Sequence, residues 1–281
     1  MLIPVLHNVD KSLESDHFKK LILSIQLKLD GFSFSILNEE LNKVVAVVDY
    51  KFDDTKHPLD LLEKVKQIFN ENSLLSMDFF QVKVSHVNSI STLVPVALFD
   101  DDKLRSYLDF NHKLLENEYL TYDIINSGEI ANVYSPFTVV NDFLFDKYGE
   151  FVFKHFSSVL IDNFLEQSNI NQELKFFVHV QSNQFEIVVV ENKKLILYNS
   201  FLYETKEDFV YYILFVAEQL KQNPEDFDLE LYGEIEPYSE IYALLYKYVR
   251  NVYFGKRLDK HEYSHELDTL NEHDFFALIN Q

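Results

Sequence analysis

Cysteine is absent from the 281 residues, and glycine occurs only five times. Without cysteine the chain can form no disulfide, no thiolate nucleophile and no cysteine-ligated zinc or iron–sulfur centre. So little glycine leaves no room for a glycine-rich phosphate cradle, and neither a Walker loop nor a G-x-S-x-G nucleophile elbow is present. These absences exclude the best-known nucleotide and hydrolase motifs.

Basic residues are also scarce: 25 Lys and Arg stand against 46 Asp and Glu, which gives a net charge of −21. Binding to a nucleic-acid backbone or to an anionic membrane surface requires clustered positive charge. The short clusters Lys193-Lys194 and Lys256-Arg257 fit solvated turns or strand ends better than binding patches. We therefore expect no nucleic-acid partner and no membrane partner.

Long apolar runs are missing as well. The longest, Val44–Val48 and Leu93–Phe99, are far too short to span a bilayer. Residues 1–10 lack the basic and apolar regions of a secretory signal. With 47% apolar residues, the composition is that of a folded protein long enough for two domains. We expect a soluble cytoplasmic protein.

The chain does contain an apparent duplication of one order of elements, and a repeat of that size is a whole folding unit. From Leu21 to Leu29, apolar residues alternate with polar ones, which is the period of a half-buried strand. Asp30-Gly31 is a turn dipeptide that joins antiparallel strands. The first copy is predicted to contain strands at 21–29, 32–37 and 43–52, a helix beginning near Pro58, and a strand at 79–87.

The same order recurs from Phe176. The second copy is predicted to contain strands at 176–180, 185–190 and 195–203, a helix at 206–221, a strand at 227–232, a helix over 241–249 and a strand at 251–254. Three-stranded meanders followed by alternating helices and strands indicate an α/β fold.

The segment between the copies is predicted to hold helices at 101–110, 139–148 and 157–166 and a strand at 150–156. The polar stretch Ser168 to Glu173 is the best domain boundary in the sequence. We therefore predict two domains, at 1–168 and 169–281.

This duplicated plan resembles the actin-like ATPase fold of actin, heat-shock 70 chaperones and sugar kinases, whose two lobes are ribonuclease H-like units. The closer resemblance is to a bacterial family of uncharacterised proteins with this fold, known only as a domain of unknown function. It extends from about Leu21 to Phe276. The resemblance implies two lobes with a cleft between them, where ligands usually bind.

In that superfamily the first hairpin of each lobe holds nucleotide phosphates. An Asp helps to hold the metal ion, and a Gly with Ser or Thr lets backbone amides approach the oxygens. Asp30, Gly31 and Ser33 keep these residue types, although Gly follows Asp directly and not after one spacer. The matching loop of the second lobe, Gln181–Gln184, has neither carboxylate nor glycine. Gly233 lies at the adenosine-side loop, so these four residues are the remaining candidates for cofactor binding in a vestigial cleft.

Charge near the adenosine-side loop also argues against nucleotide. A bound triphosphate needs Mg²⁺, amide donors or basic side chains to offset its negative charge. Glu234 and Glu236 would instead repel an anion unless a cation lay between them. We therefore predict no catalytic residue, no metal ligand and no cofactor.

Two functional hypotheses follow. The favoured one is a non-catalytic protein-interaction or scaffold protein that binds another protein or itself. Under this favoured hypothesis, Asp30-Gly31 is a hairpin turn in which glycine supplies positive φ, and Gly233 with Pro237 is a strand-to-helix turn. The alternative is a nucleotide-binding ATPase or kinase-type enzyme that uses ATP and Mg²⁺. In that case Asp30 holds the metal through water and Ser33 contacts a phosphate.

A third hypothesis, a zinc peptidase, rests on His261-Glu262-Tyr263-Ser264-His265, which matches the H-E-x-x-H pattern of a metal-binding helix. The surrounding sequence is charged, whereas such helices are buried and apolar. Asn271 also stands where the third histidine of the extended motif would be. We expect no metal site there.

Aromatic residues recur at helical spacing in the second copy. Such series usually face a core, and an exposed protein-contact patch is the alternative. The two series are Phe209, Tyr211, Tyr212 and Phe215, and Tyr238, Tyr242, Tyr246 and Tyr248.

Overall fold

The computed structural model describes residues 2–14, 20–125, 128–170 and 173–281, without the side chains of Ser12 and Glu14. The chain packs into two compact units, each with its own sheet and apolar core. Unit 1 comprises Met1–Val159, Leu258–Thr269 and Ala277–Gln281, and unit 2 comprises Leu160–Arg257 and Leu270–Phe276.

The strands are β1 (Leu6–Val9), β2 (Leu21–Lys28), β3 (Gly31–Asn38), β4 (Lys43–Lys51), β5 (Gln81–Val87), β6 (Ser91–Pro95), β7 (Thr121–Ile125), β8 (Ile130–Tyr134), β9 (Val152–His155), β10 (Lys175–Val180), β11 (Gln184–Glu191), β12 (Lys194–Leu202), β13 (Asp228–Gly233), β14 (Asn251–Phe254) and β15 (Glu262–Tyr263). The α-helices are α1 (Pro58–Glu71), α2 (Leu104–Leu108), α3 (Thr138–Tyr148), α4 (Phe156–Gln167), α5 (Lys206–Gln219), α6 (Glu240–Leu245) and α7 (Phe276–Ile279). Short 3₁₀ helices lie at Lys11–Glu14, Ser73–Ser76, Val96–Leu98, Asp101–Lys103 and His265–Leu267.

The main sheet of unit 1 has the order β1-β4-β3-β2-β5-β9, and β15 also pairs with β4. β2, β3 and β4 form an antiparallel meander, and β5 and β9 then add in parallel. A parallel addition needs a crossover, which α1 supplies between β4 and β5.

The core of unit 1 follows from the period-2 pattern of its strands. Leu23 and Ile25 of β2 and Phe34 of β3 are fully buried, on the face covered by helices α1 and α3. Burying each such side chain stabilises the fold by about 1.5–3 kcal/mol.

Residues 88–137 form an insertion between β5 and α3. Its strands make a separate sheet in the order β6-β8-β7, and Leu108 of α2 packs on one face of it. On β8, Asn132 Nδ2 donates to Ser157 Oγ and Ser158 Oγ, both at 2.8 Å, and Ser158 Oγ donates to Asp123 Oδ2 at 2.6 Å. These buried hydrogen bonds fasten the insertion to the first turn of α4.

Unit 2 has one sheet in the order β12-β11-β10-β13-β14. β10, β11 and β12 form an antiparallel meander, and β13 and β14 add in parallel. Phe209, Ile213 and Val216 of α5 are buried in its core. The strand order, the directions and the position of the crossover helix repeat those of unit 1.

The duplication extends to an irregularity. The pairing of the second and third meander strands shifts by one residue between Ile36 and Leu37 in unit 1, and between Val189 and Val190 in unit 2. Such a β-bulge leaves one extra residue on the partner strand. A bulge at a fixed position is a specific feature of a fold and not a defect in strand pairing. Aligning the two bulges gives a residue-by-residue correspondence between the two meanders.

The predicted meanders, crossover helices and strands of both copies are present. The sequence analysis missed β1, the three strands of the insertion and β15. The predicted helix at 101–110 is a 3₁₀ turn followed by the short α2. Among the described residues, no helix combines the length and apolar character needed to cross a bilayer.

Along the chain, the boundary between the compact units falls within α4, between Val159 and Leu160, and two C-terminal segments belong to unit 1. The division at 1–168 and 169–281 rests on the polar stretch 168–173, of which Asn171 and Gln172 lie outside the described residues. Compactness alone does not define an independently folding domain. The domain division therefore stays a prediction.

Candidate functional site

The first candidate loop is the turn between β2 and β3. Lys28 pairs with Gly31, so only Leu29 and Asp30 form the turn. The Asp30 side chain is exposed, and its backbone carbonyl accepts a hydrogen bond from Phe52 N at 2.8 Å. A two-residue hairpin this tight offers no row of free amides for a phosphate.

Gly31 has a packing role in this turn. Its φ is not positive, contrary to the expectation for a turn glycine. A Cβ added there would lie 2.9 Å from the Tyr50 carbonyl oxygen. Glycine is needed because the neighbouring backbone approaches closely, which is a local requirement of the sheet.

The Ser33 hydroxyl makes a buried hydrogen bond. Its Oγ donates to Asp49 Oδ1 at 2.6 Å, and the two residues face each other on β3 and β4. Both are buried. A hydroxyl bonded to a carboxylate inside a sheet is not positioned to contact a phosphate.

The second candidate loop joins β10 and β11. The bulge alignment places Glu186 at the position of Ser33. Glu186 is 1% exposed and accepts hydrogen bonds from Gln181 Nε2 at 3.1 Å and Gln184 Nε2 at 2.7 Å. His179 Nδ1 lies 3.5 Å from the same carboxylate. The loop itself contains no acid, but a buried carboxylate lies directly beneath it.

The sequence analysis missed Glu186. A signal was present, because β11 is otherwise almost wholly apolar between its ends. A single acid on the inward part of a buried strand requires partners, since an unpaired buried charge is costly. The identity of those partners depends on the hairpin register.

The third candidate position is Gly233, at the end of β13. It adopts φ +83°, and a Cβ there would lie 2.3 Å from the Val180 carbonyl oxygen. The ring of His179 lies 3.1 Å from the same point. The glycine is required both by its conformation and by close packing.

The backbone amides of Gly233, Glu234 and Ile235 are bonded within the unit. Gly233 N donates to His273 O at 3.0 Å, Glu234 N to Val180 O at 2.8 Å, and Ile235 N to Gly233 O at 2.9 Å. The His273 ring in turn bonds the Ile235 carbonyl through Nε2 at 2.8 Å. A nucleotide therefore finds no available backbone donor in this row.

Acidic side chains surround the same loop. Burial raises the pKa of the Asp274 carboxyl, and the nearby charge of Glu236 raises it further. Burial also raises the pKa of Tyr203, and Glu234 contributes in the same direction. Burial is the largest cause of both shifts, and the carboxylates of Glu234 and Glu236 add negative charge at this loop, which disfavours a phosphate group.

The H-E-x-x-H residues do not form a metal-binding helix. Glu262 lies in β15 and His265 begins a 3₁₀ turn, so the two histidines do not share a helical face. His261 Nδ1 contacts Asn42 Oδ1 at 2.7 Å, and His265 Nδ1 contacts Asp268 Oδ2 at 2.5 Å. Both rings make hydrogen bonds to side chains of their own unit.

Two tandem units of one plan, a three-stranded meander followed by helix and strand, define a protein of the actin-like ATPase fold. The structure resembles a protein with an actin-like ATPase fold and unknown function from Bacteroides thetaiotaomicron, at TM-score 0.76 and 28% identity over 85% of this chain and 91% of that one. It also resembles a chain of the PilM–PilN type IV pilus biogenesis complex, at TM-score 0.58 and 10% identity over 92% of this chain and 96% of that one.

The chain belongs to the family described as "Protein of unknown function (DUF3822)", whose model matches residues 10–252. The resemblance inferred from the sequence, to a family of unknown function with this fold, is confirmed. No curated protein matches the chain significantly.

Proposed function

We propose that this protein is a non-catalytic member of the actin-like fold that acts by binding another protein. The observation that supports the proposal best is the bonding of the Gly233, Glu234 and Ile235 amides to carbonyls of their own unit. Actin-like enzymes depend on loops that present donors to phosphate and adenosine. In this protein the three amides already donate to backbone carbonyls of unit 2.

The charge beneath the second hairpin supports the same conclusion. Ser33 of unit 1 is hydrogen-bonded to Asp49, and the matching residue of unit 2 is the buried Glu186. A triphosphate at the second hairpin would approach the Glu186 carboxylate, whose hydrogen-bond donors among the described residues are the amides of Gln181 and Gln184 and not Lys or Arg. Electrostatic stabilisation of a phosphoryl transition state needs the opposite charge.

The likeness to a chain of the PilM–PilN complex gives further support, because that chain of the same fold is part of an assembly of two different proteins. A fold that keeps its architecture without its nucleotide chemistry still offers a large, ordered surface. Binding a partner, or scaffolding several, needs no phosphate loop.

Isothermal titration with ATP and ADP in the presence of Mg²⁺ tests the proposal, together with an assay of phosphate release. We expect no saturable heat and no turnover. Asp30→Ala should change neither result, and Asp53→Ala, at another exposed acid of unit 1, is the matched control. Micromolar nucleotide affinity with turnover that Asp30→Ala abolishes would overturn the proposal in favour of the ATPase or kinase-type alternative.

A further inference from the structure

The edge strand of unit 2 is exposed where its counterpart in unit 1 is covered. β12 pairs with β11 on one side, and among the described residues no strand pairs with its other edge. None of its nine residues is buried. In β4, the counterpart, seven of nine residues are buried. An open, regular edge is a template for another strand.

Unit 1 shows how this edge is covered. β1 adds antiparallel to β4, with Val5 N donating to Asp49 O and Asp10 N to Val45 O, both at 2.8 Å. The Asp10 carboxylate also reaches Lys43 Nζ at 3.2 Å. The added strand therefore contributes backbone hydrogen bonds and one ion pair at its end.

The same groups are present in unit 2. The bulge alignment matches Asp49 with Ser200 and Lys43 with Lys194. Tyr203 N donates to Asn183 O at 3.0 Å, so the backbone groups of alternate residues, Ser200 among them, point to the open edge. At that edge Ser200 N donates to the Asn199 side-chain Oδ1 at 2.9 Å, an exposed local bond that an added strand would replace. Lys194 is exposed. Unit 2 thus repeats the acceptor half of the arrangement that β1 completes in unit 1.

Two aromatic side chains, Tyr211 and Phe215 of α5, flank this edge, and the fold itself does not require aromatic residues at these positions. Helices α1 and α5 both have 14 residues and both begin with an acid at the third position. Aligning the two helices from their first residues, Pro58 and Lys206, matches Tyr211 with Glu63 and Phe215 with Gln67. Unit 1 therefore has polar residues where unit 2 exposes aromatic rings, with Tyr211 60% and Phe215 41% exposed.

The two rings stack on each other with centroids 6.2 Å apart, and Tyr211 continues onto Tyr212, which stacks on Phe201 of β12 at 4.7 Å. The aromatic surface is thus continuous with the edge strand. We call β12 with Tyr211 and Phe215 the edge surface. Exposed aromatic groups of this kind are typical of protein-binding sites.

Charge decides what the edge surface binds. Lys193 and Lys194 at the start of β12 outnumber the one carboxylate of Glu191 across the hairpin, in a chain whose net charge is −21. β12 itself contains no acid to pair with these lysines, and the exposed Glu204 follows two residues beyond its end. Two such acidic chains also repel each other, which disfavours a second copy of this chain. The complementary occupant is an acidic segment of a different protein.

We infer that the edge surface binds an extended segment of a partner protein, antiparallel to β12, with apolar side chains on Tyr211 and Phe215 and a carboxylate at Lys194. This inference rests on the proposed function and names its partner chemistry. Strand addition of this kind gives affinity through the backbone and specificity through alternate side chains.

A displayed library of random peptides of about ten residues, enough to pair with one strand, tests the inference on the full chain. The enriched peptides should alternate apolar residues and end in Asp or Glu. One of them, labelled and titrated by fluorescence anisotropy, should protect the Ser200 amide from hydrogen exchange. Sedimentation of the unliganded protein should show a monomer.

Three variants should weaken binding of that peptide at least about tenfold, or about 1.4 kcal/mol. Ser200→Pro removes an outward amide, a change that edge strands tolerate. The double variant Tyr211→Glu with Phe215→Gln installs the residue types of α1. Lys194→Glu reverses the charge, and a peptide whose terminal acid is replaced by Lys should restore binding to it. Tyr238→Glu, at a residue 99% exposed elsewhere, is the control.

The inference is overturned if no such peptide is enriched, if the variants bind as well as the wild type, or if sedimentation shows a dimer that Ser200→Pro dissociates. If Ser200→Pro fails to fold, the charge reversal with its compensating peptide still decides the question. A failed edge test with no nucleotide binding leaves the proposed function standing, whereas nucleotide turnover refutes the proposed function separately.

Discussion

At the scale of single residues, Gly233 combines two constraints that ordinarily occur apart. Its backbone is in the left-handed region, which costs an L-residue about 1–2 kcal/mol, and the Val180 carbonyl occupies the place of a side chain. Gly149 also has a positive φ, +74° with ψ −134°, and nothing lies within 4 Å of an added Cβ there. Comparing Gly233 with Gly149 therefore separates the cost of backbone strain from the cost of close packing.

Gly233→Ala is therefore expected to lower the free energy of unfolding by more than Gly149→Ala, which should cost about 1–3 kcal/mol through backbone strain alone. The additional loss of unfolding free energy in Gly233→Ala is the cost of displacing the Val180 carbonyl. Urea denaturation of both variants provides the comparison. Equal losses would mean that close packing at Gly233 contributes nothing.

His86 is a second residue with a measurable consequence. It is fully buried, and its Nδ1 accepts a hydrogen bond from Phe137 N at 3.2 Å. Burial, and secondly the nearby His155, lower the pKa of His86 to about 3. The folded ring is neutral, whereas the unfolded ring takes up a proton below its usual pKa of about 6.5.

Because the folded pKa is depressed, the contribution of His86 to stability is complete above pH 6.5 and is lost as the pH falls toward about 3. The loss approaches about 1.4 kcal/mol per pH unit in this window. The stability advantage of the wild type over His86→Asn should shrink by that slope between about pH 6 and pH 4 in urea titrations. Parallel pH profiles for the two proteins would contradict the neutral buried ring.

At the scale of elements, the start of α5 shows how a local signal specifies structure. Thr205 Oγ1 accepts from Asp208 N at 3.1 Å, and the Asp208 carboxylate accepts from Thr205 N at 3.0 Å. This reciprocal pair satisfies two amides that the helix cannot bond itself. Asp60 accepts from His57 N in the same way at the start of α1, at 3.0 Å.

Thr205→Ala should lower the free energy of unfolding by about 1 kcal/mol, because the first turn of α5 loses its side-chain acceptor. Chemical denaturation followed by far-ultraviolet circular dichroism measures the change. Thr205→Ser keeps the hydroxyl and should stay close to the wild type. A loss of equal size in the serine variant would point away from capping.

Elements with their own periodic pattern could be predicted from the sequence, and elements defined by distant pairing could not. β2 alternates apolar and polar residues, and α5 repeats apolar residues at helical spacing. β1 has only four residues and exists because it pairs with β4, far along the chain. The insertion strands β6, β7 and β8 have only five residues each and stabilise one another by pairing.

The candidate site was predictable only in residue type. The sequence indicates that Asp30, Gly31, Ser33 and Gly233 lie at turns or strand ends, and that the loop of the second hairpin, Gln181–Gln184, lacks an acid. It cannot reveal the bond from Ser33 to Asp49 or the burial of Glu186, because both depend on strand register. The role of the four residues in nucleotide binding stays a prediction.

At the scale of the whole molecule, two units of one plan have diverged in different ways. Unit 1 covers the edge of its meander with β1 and β15, whereas in the described part of the chain no strand covers the same edge of unit 2, beside aromatic residues. Both units retain the sheet order, while the Gly233, Glu234 and Ile235 amides of unit 2 are bonded internally. Under the proposed function, this divergence is the one expected when a fold is kept for its surface.

The most direct measurement is equilibrium unfolding of the full chain with and without Mg·ATP. A nucleotide present at one hundred times its dissociation constant raises the unfolding free energy by about 2.7 kcal/mol, whatever the sign of its binding heat. We predict superimposable unfolding curves with millimolar Mg·ATP and with Mg²⁺ alone. A stabilisation of that size, saturating with nucleotide concentration, would contradict the closed phosphate positions on which the proposed function depends.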